Sequence, residues 1–257
     1  MNSLMLTKLR FELAFRNDSR LPLFVGNTIR GAIGQSLYDN HRGVYDKVFK
    51  TSSESSIPNP FAISAPYPSK GSYFKGDTLE FFITLFGSAC EYDDAISDAA
   101  RLMCSGKLLG AELSEVECIY SCEWSDSGAE SIAHCDLVNL EFISPTELIS
   151  SKRPVFEPDF TTFIDSLFGR ISSICDNYGK CEFVIPYSLI ARKPQVSAVY
   201  DLKNVQINSN SHPINGFIGK IAYSGDLTRY LPYIDLGSQI HLGKKTTRSC
   251  GEFSFEI

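Results

Sequence analysis

The chain has 257 residues, 43% of them hydrophobic and 21% charged, with a formal net charge of −6. This is the composition of a globular protein with one large or two ordinary domains, and the acidic balance excludes one whose whole surface grips nucleic acid. No apolar run reaches the length of a membrane span and residues 1–10 hold no long apolar leader core, so a cytoplasmic chain with reduced cysteines is expected.

Leu9, Phe11, Leu13 and Phe15 alternate with polar or small residues and predict a half-buried strand over 6–15. Asn17, Asp18 and Ser19 mark a turn. Ile29, Ile33 and Leu37, four apart, predict a helix over 23–38. Gly31 and Gly34 each weaken that helix by about 1 kcal/mol relative to Ala, so a helix that forms around them implies close approach by a strand or a ligand. Strands are predicted over 61–67 and 78–86, a helix over 93–109 carrying Ile96, Ala99, Ala100 and Met103, and a strand over 116–124. Residues 125–135 are small and polar and read as a boundary.

The same order then repeats. A strand is predicted over 137–143, an amphipathic helix over 159–178 closed by Gly179, a hairpin from 196–207 and 217–223, a helix over 227–236, and a strand over 253–257. Two successive βαββαβ units make the expected fold α+β, with tandem ferredoxin-like (RRM-like) domains over 1–130 and 131–257.

Between the last helix and the last strand lies a loop containing Gly243, Lys244, Lys245, Thr246, Thr247, Arg248 and Gly251. Glycines let backbone N–H groups approach an anion closely, and the three cations add charge. Contact with a phosphate backbone is expected, and the alternative is an ordinary connection with a solvated charge run. Among the four histidines, His41 follows the first helix, with Tyr38 one turn before it and Arg42, Tyr45, Lys47 and Lys50 behind. His241 opens the glycine loop and either faces the same cleft or is held there by the helix dipole. His212 sits in a polar hairpin loop. His134 and Cys135, after Cys118 and Cys122, make a poor zinc spacing.

Several stretches resemble the CRISPR precursor-RNA processing endoribonucleases of the RAMP superfamily. Residues 26–34 (GNTIRGAIG) are similar to their G-x-x-L-R-G-A-L-G, and 45–49 (YDKVF) to their Y-G-x-L-F. Leu85 to Gly87 matches L-F-G, Pro145 lies in their T-P-L, 216–227 resembles G-x-x-G-x-I-x-Y-x-G-D-L, and 241–253 resembles the closing H-x-G-K-x-T-x-x-G-x-G-x-F. Two departures stand out: Ser249 replaces a loop glycine and Asp46 replaces the glycine of Y-G-x-L-F.

The resemblance implies cleavage of CRISPR repeat RNA without metal or other cofactor. A ribose 2′-OH attacks the adjacent phosphate, leaving a cyclic phosphate and a 5′-OH, and the product is a guide crRNA. The family's catalytic histidine commonly sits in the region of His41. His41 is therefore expected as base, Tyr38 or Tyr45 as acid and Lys47 as phosphate stabiliser. The glycine-loop residues are expected to bind RNA, and Arg192, Lys193 and Lys203 to grip an RNA stem by its backbone. Arg30 either pairs structurally or faces RNA. Other Cas effector subunits are expected partners, and a homodimer is open. The alternatives are a non-catalytic crRNA-binding RAMP subunit and a protein-interaction module with no RNA partner.

Overall fold

The computed structural model describes residues 2–50, 57–104, 110–126, 134–180, 182–186, 189, 194–208 and 213–257. The first half runs β1 (Ser3–Phe15), α1 (Gly26–Asn40), β2 (Phe61–Ser64), β3 (Thr78–Phe86), α2 (Asp93–Met103) and β4 (Ala111–Ser125). The second half repeats the order with β5 (Leu137–Thr146), α3 (Phe160–Tyr178), β6 (Ser197–Ile207), β7 (Ile214–Ser224), α4 (Leu231–Ile240) and β8 (Phe253–Glu256). The first sheet is β2-β3-β1-β4 and the second β6-β7-β5-β8, antiparallel throughout. Each half therefore places its first strand between its third and its fourth, which is the ferredoxin-like arrangement.

Local sequence accounts for most of these elements. Leu9, Phe11, Leu13 and Phe15 of β1 are buried with Phe81, Ile83 and Leu85 of β3, and the Phe11 and Phe81 rings stack at 4.9 Å. Ile29, Ile33 and Leu37 of α1 and Ile96, Ala99, Ala100 and Met103 of α2 close that core. In α3 the Asp159 carboxylate caps the first turn by accepting from the Thr162 N–H at 2.7 Å. Gly179 ends the helix, as its sequence position predicts.

Several boundaries differ from the sequence reading, among them the helix expected over 93–109, which ends at Met103, and the strand expected over 116–124, which starts at Ala111; three others have a tertiary reason. β1 begins at Ser3, because Leu4 and Leu6 bury the opposite face of the strand against the second half. That switch of face breaks the alternation that marks the rest of the strand. β2 stops at Ser64, where the next residue, Ala65, donates its N–H to Ser249 at 2.9 Å. α4 starts at Leu231 after a short 3-10 turn, with Pro232 in its first turn, a position proline tolerates.

The halves share apolar surface. Leu4, Leu6, Phe86 and Trp124 belong to the same buried cluster as the apolar faces of α3 and α4. Trp124 Nε1 donates to the Pro232 carbonyl at 3.2 Å, and the Tyr120 hydroxyl donates to Gln239 at 2.7 Å. The loop between α4 and β8 completes the seam by resting on the start of α1. A Cβ at Gly26 would overlap the Arg248 carbonyl. Among the described residues no helix is long and apolar enough to cross a membrane.

Replacing Gly26 with valine should cost about 1–3 kcal/mol, since neither the helix nor the loop backbone can yield without breaking the seam. Urea unfolding should show a lower midpoint with an unchanged slope.

Candidate active site

The site is organised along one face of α1. Asn27, Arg30, Gly34, Tyr38 and His41 follow each other at intervals of three or four residues, so they share a side of the helix. His41 lies at the helix end, where its backbone N–H still donates to Leu37 at 2.8 Å. Its Nε2 lies 2.7 Å from Asp98 Oδ2 of the neighbouring α2. A carboxylate only accepts, so Nε2 carries the proton of the neutral ring and Nδ1 presents the lone pair.

Tyr38 is 46% exposed and meets Tyr45 edge-to-face at 5.3 Å. The Arg42 guanidinium lies 3.9 Å above the Tyr38 ring and 5.6 Å from that of Tyr45, and bonds Asp46 at 3.3 Å. A hydrogen bond to Tyr38 is the main cause that raises the Arg42 pKa. Lys47 is exposed and donates to the Tyr92 hydroxyl at 3.0 Å, which raises its pKa. A cleft of about 310 Å³ lies alongside, lined by Arg30, Gly31, Gly34, Gln35, Tyr38, Tyr45 and Phe49.

The start of α1 carries a second cluster. Arg30 Nε donates to Thr247 Oγ1 at 3.1 Å, and Arg248 donates to Asn27 Oδ1 at 3.0 Å. Burial, then the charge of Arg248, lowers the Arg30 pKa; burial also lowers that of Arg248. Among the described ion pairs neither arginine has a carboxylate. Two half-buried cations held only by neutral groups attract an anion. From Arg30 to His41 is about 16 Å along the helix.

The remaining loop residues are divided between inward and outward roles. Gly243 has φ +80 and Lys244 is exposed. Lys245 donates to Glu147 at 2.6 Å and to the Pro213 carbonyl at 2.7 Å. Thr246 is buried, its hydroxyl accepting from Arg170 at 2.9 Å. Arg170 also donates to the carbonyls of Ile240 and His241 at the end of α4, and burial pushes its pKa down to about 9. Lys203 is exposed on β6; Arg192, Lys193 and His212 lie outside the described residues.

His241 is buried rather than facing the cleft. Its Nδ1 donates to the Cys250 carbonyl at 3.2 Å, and its Nε2 accepts from Ser64 at 3.1 Å. Burial, reinforced by Arg170, pushes its pKa down to about 3. Ser249, at φ +65, exchanges hydrogen bonds with the backbone of Ala65 at 2.9 and 3.2 Å. Among the described residues no group of three or more His, Cys, Asp or Glu could hold a metal ion. Asp98 and the pairing of Arg30 with Arg248 were not legible in the sequence. Asp98 sits at an ordinary polar position of α2, and the two arginines are 218 residues apart.

Two ferredoxin-like halves with a glycine-rich loop at their seam define a RAMP-class fold. The model of the CRISPR-associated endoribonuclease Cas6 matches residues 140–253, and that of an N-terminal domain, AF_1859_N, matches residues 4–133. Over residues 140–253 the chain is thus similar to the Cas6 family of CRISPR-associated endoribonucleases. A product complex of Thermus thermophilus Cas6 is similar over 98% of this chain and 100% of that one, with a TM-score of 0.71 at 15% identity. A Cas6 substrate mimic complex is similar over 98% and 99%, with a TM-score of 0.62 at 16% identity. A partial Cas6-RT-Cas1–Cas2 complex is similar over 98% of this chain and 46% of that one, with a TM-score of 0.71 at 11% identity. No curated protein matches by sequence.

His241 makes stability acid-sensitive. Between its ordinary pKa of 6.5 and its folded value of about 3, the unfolded chain binds a proton that the folded chain refuses. Stability should therefore fall by about 2 kcal/mol from pH 7 to pH 5 on this account alone. Urea unfolding of His241→Asn at both pH values should lack this share of the slope.

Proposed function

We propose that the protein cuts CRISPR repeat RNA within a precursor transcript to release guide crRNAs. The observation that carries this reading is a histidine oriented by Asp98, beside two tyrosines and a stacked arginine, on the helix face whose other end presents Arg30 and Arg248. RNA laid along that face has its phosphate held by the arginine pair and the bond to be cut beside His41.

His41 Nδ1 takes the proton of a ribose 2′-OH, and the oxygen attacks the adjacent phosphorus. Arg42, with Lys47, offsets the charge that develops on the phosphorane. Tyr38 or Tyr45 gives its proton to the departing 5′ oxygen. The products are a 2′,3′-cyclic phosphate and a 5′-OH, with the imidazolium and tyrosinate reset by solvent. Base, acid and cation are all side chains, so cleavage should proceed in EDTA. The glycine-loop cation Lys244 and the strand cation Lys203 extend the phosphate contacts. Other Cas subunits are proposed partners; the first sheet offers them an acidic face where Arg10 is surrounded by Glu12, Glu80, Glu115 and Glu117.

Single-turnover cleavage of a labelled repeat RNA should fall about 10²–10⁴-fold in His41→Ala, with RNA affinity retained. Asp98→Asn should lose on the order of tenfold in rate, again without loss of binding. Tight binding with no cleavage by the unaltered protein would replace this reading with that of a non-catalytic crRNA-binding subunit.

Arg30→Ala, Arg248→Ala and Lys244→Ala should each reduce the slope of log affinity against log salt by about one, measured by filter binding.

A further inference from the structure

We propose that the cleft beside α1 is a slot for one unpaired nucleobase next to the cleaved bond, and that Gln35 reads that base's edge. This rests on the reading of His41 as the cleavage base. The cleft floor is bare of side chains at Gly31 and Gly34, and even a Cβ at Gly34 would come within 3.2 Å of the Phe49 ring. Its aromatic wall is the half-buried Tyr45 ring, backed by the buried Phe49. Phe49 stacks on Phe61 at 4.4 Å and lies 6.4 Å from Tyr45, their rings inclined by only 22°. Above this glycine floor the Tyr45 ring offers a flat surface for a planar ring, and base stacking on aromatic side chains is the common way an unpaired base is held.

The polar rim adds discrimination. The Gln35 amide nitrogen donates to both oxygens of Asp39, at 2.9 and 3.0 Å. That leaves Oε1 as the free acceptor of a side chain that lines the cleft. It suits an exocyclic amino group, as on adenine, cytosine or guanine, rather than a carbonyl. The register agrees. Arg30 closes one end of the slot and Tyr38 the other, and the roughly 16 Å from Arg30 to His41 corresponds to about two or three nucleotides of single strand. A phosphate on the arginine pair and the scissile phosphate at His41 thus bracket the bases that must pass this cleft.

The test uses repeat RNAs blocked by a 2′-deoxy nucleotide at the cut, each with 2-aminopurine at one position flanking it. Binding by the unaltered protein should quench fluorescence strongly at one position, and Tyr45→Ala should restore it. An abasic nucleotide at that position should weaken binding about tenfold in the unaltered protein and little in Tyr45→Ala. Replacing adenine there by amino-less purine should weaken binding several-fold, and Gln35→Ala should erase that difference. Equal quenching at all positions, or quenching that Tyr45→Ala leaves intact, overturns the slot. A preference for the amino group that survives in Gln35→Ala overturns the assignment of Gln35. Cleavage of the unblocked repeat is scored separately: cutting without a quenched position removes the slot alone, and quenching without cutting removes the nuclease reading alone.

Discussion

The contact on which the molecule depends is the docking of the glycine loop against the start of α1. It works because three unusual local conditions coincide. Gly26 has no side chain, so the Arg248 carbonyl comes within its reach. Ser249 adopts the left-handed region that non-glycine residues seldom enter, and its hydroxyl repays that by bonding both backbone groups of Ala65. His241, neutral and buried, joins Ser64 of the first half to Cys250 of the loop. Ser249 in this way ties the loop to the edge of the first sheet.

That seam sets the electrostatics. The chain is acidic overall, yet its carboxylates are spent elsewhere: four surround Arg10 on the reverse face of the first sheet, and Glu112 takes Arg16. Asp98 serves a histidine. Among the described residues, Arg30 and Arg248 meet across the seam with a threonine and an asparagine as hydrogen-bond partners and no carboxylate beside them. Net charge and local potential are thus separate quantities, and binding follows the second.

The helix α1 spaces the two ends of the proposed site. Its inner side is ordinary core, with Ile29, Ile33 and Leu37 packed into the first half. Its outer side carries the arginine near one end and tyrosine and histidine near the other, at a separation fixed by helical rise. Gly34, unfavourable for the helix itself, lets Phe49 of the residues 45–49 turn come close.

The strands, the four long helices and the duplicated order were legible because period two and period 3.6 are local properties, written in neighbours such as Leu9 to Phe15 or Phe160 to Ile174. The same locality made Tyr38, His41 and Tyr45 readable as one group. Asp98, the arginine pair and the inward turn of Lys245, Thr246 and His241 were not readable. Each depends on which residue from a distant segment arrives beside it, and a side chain's charge or hydroxyl looks the same in sequence whether its partner is water, a carbonyl or RNA. Hydrophobic rhythm determined the elements; only their packing across the seam decided which described cations were left without a counter-charge and which histidine was buried.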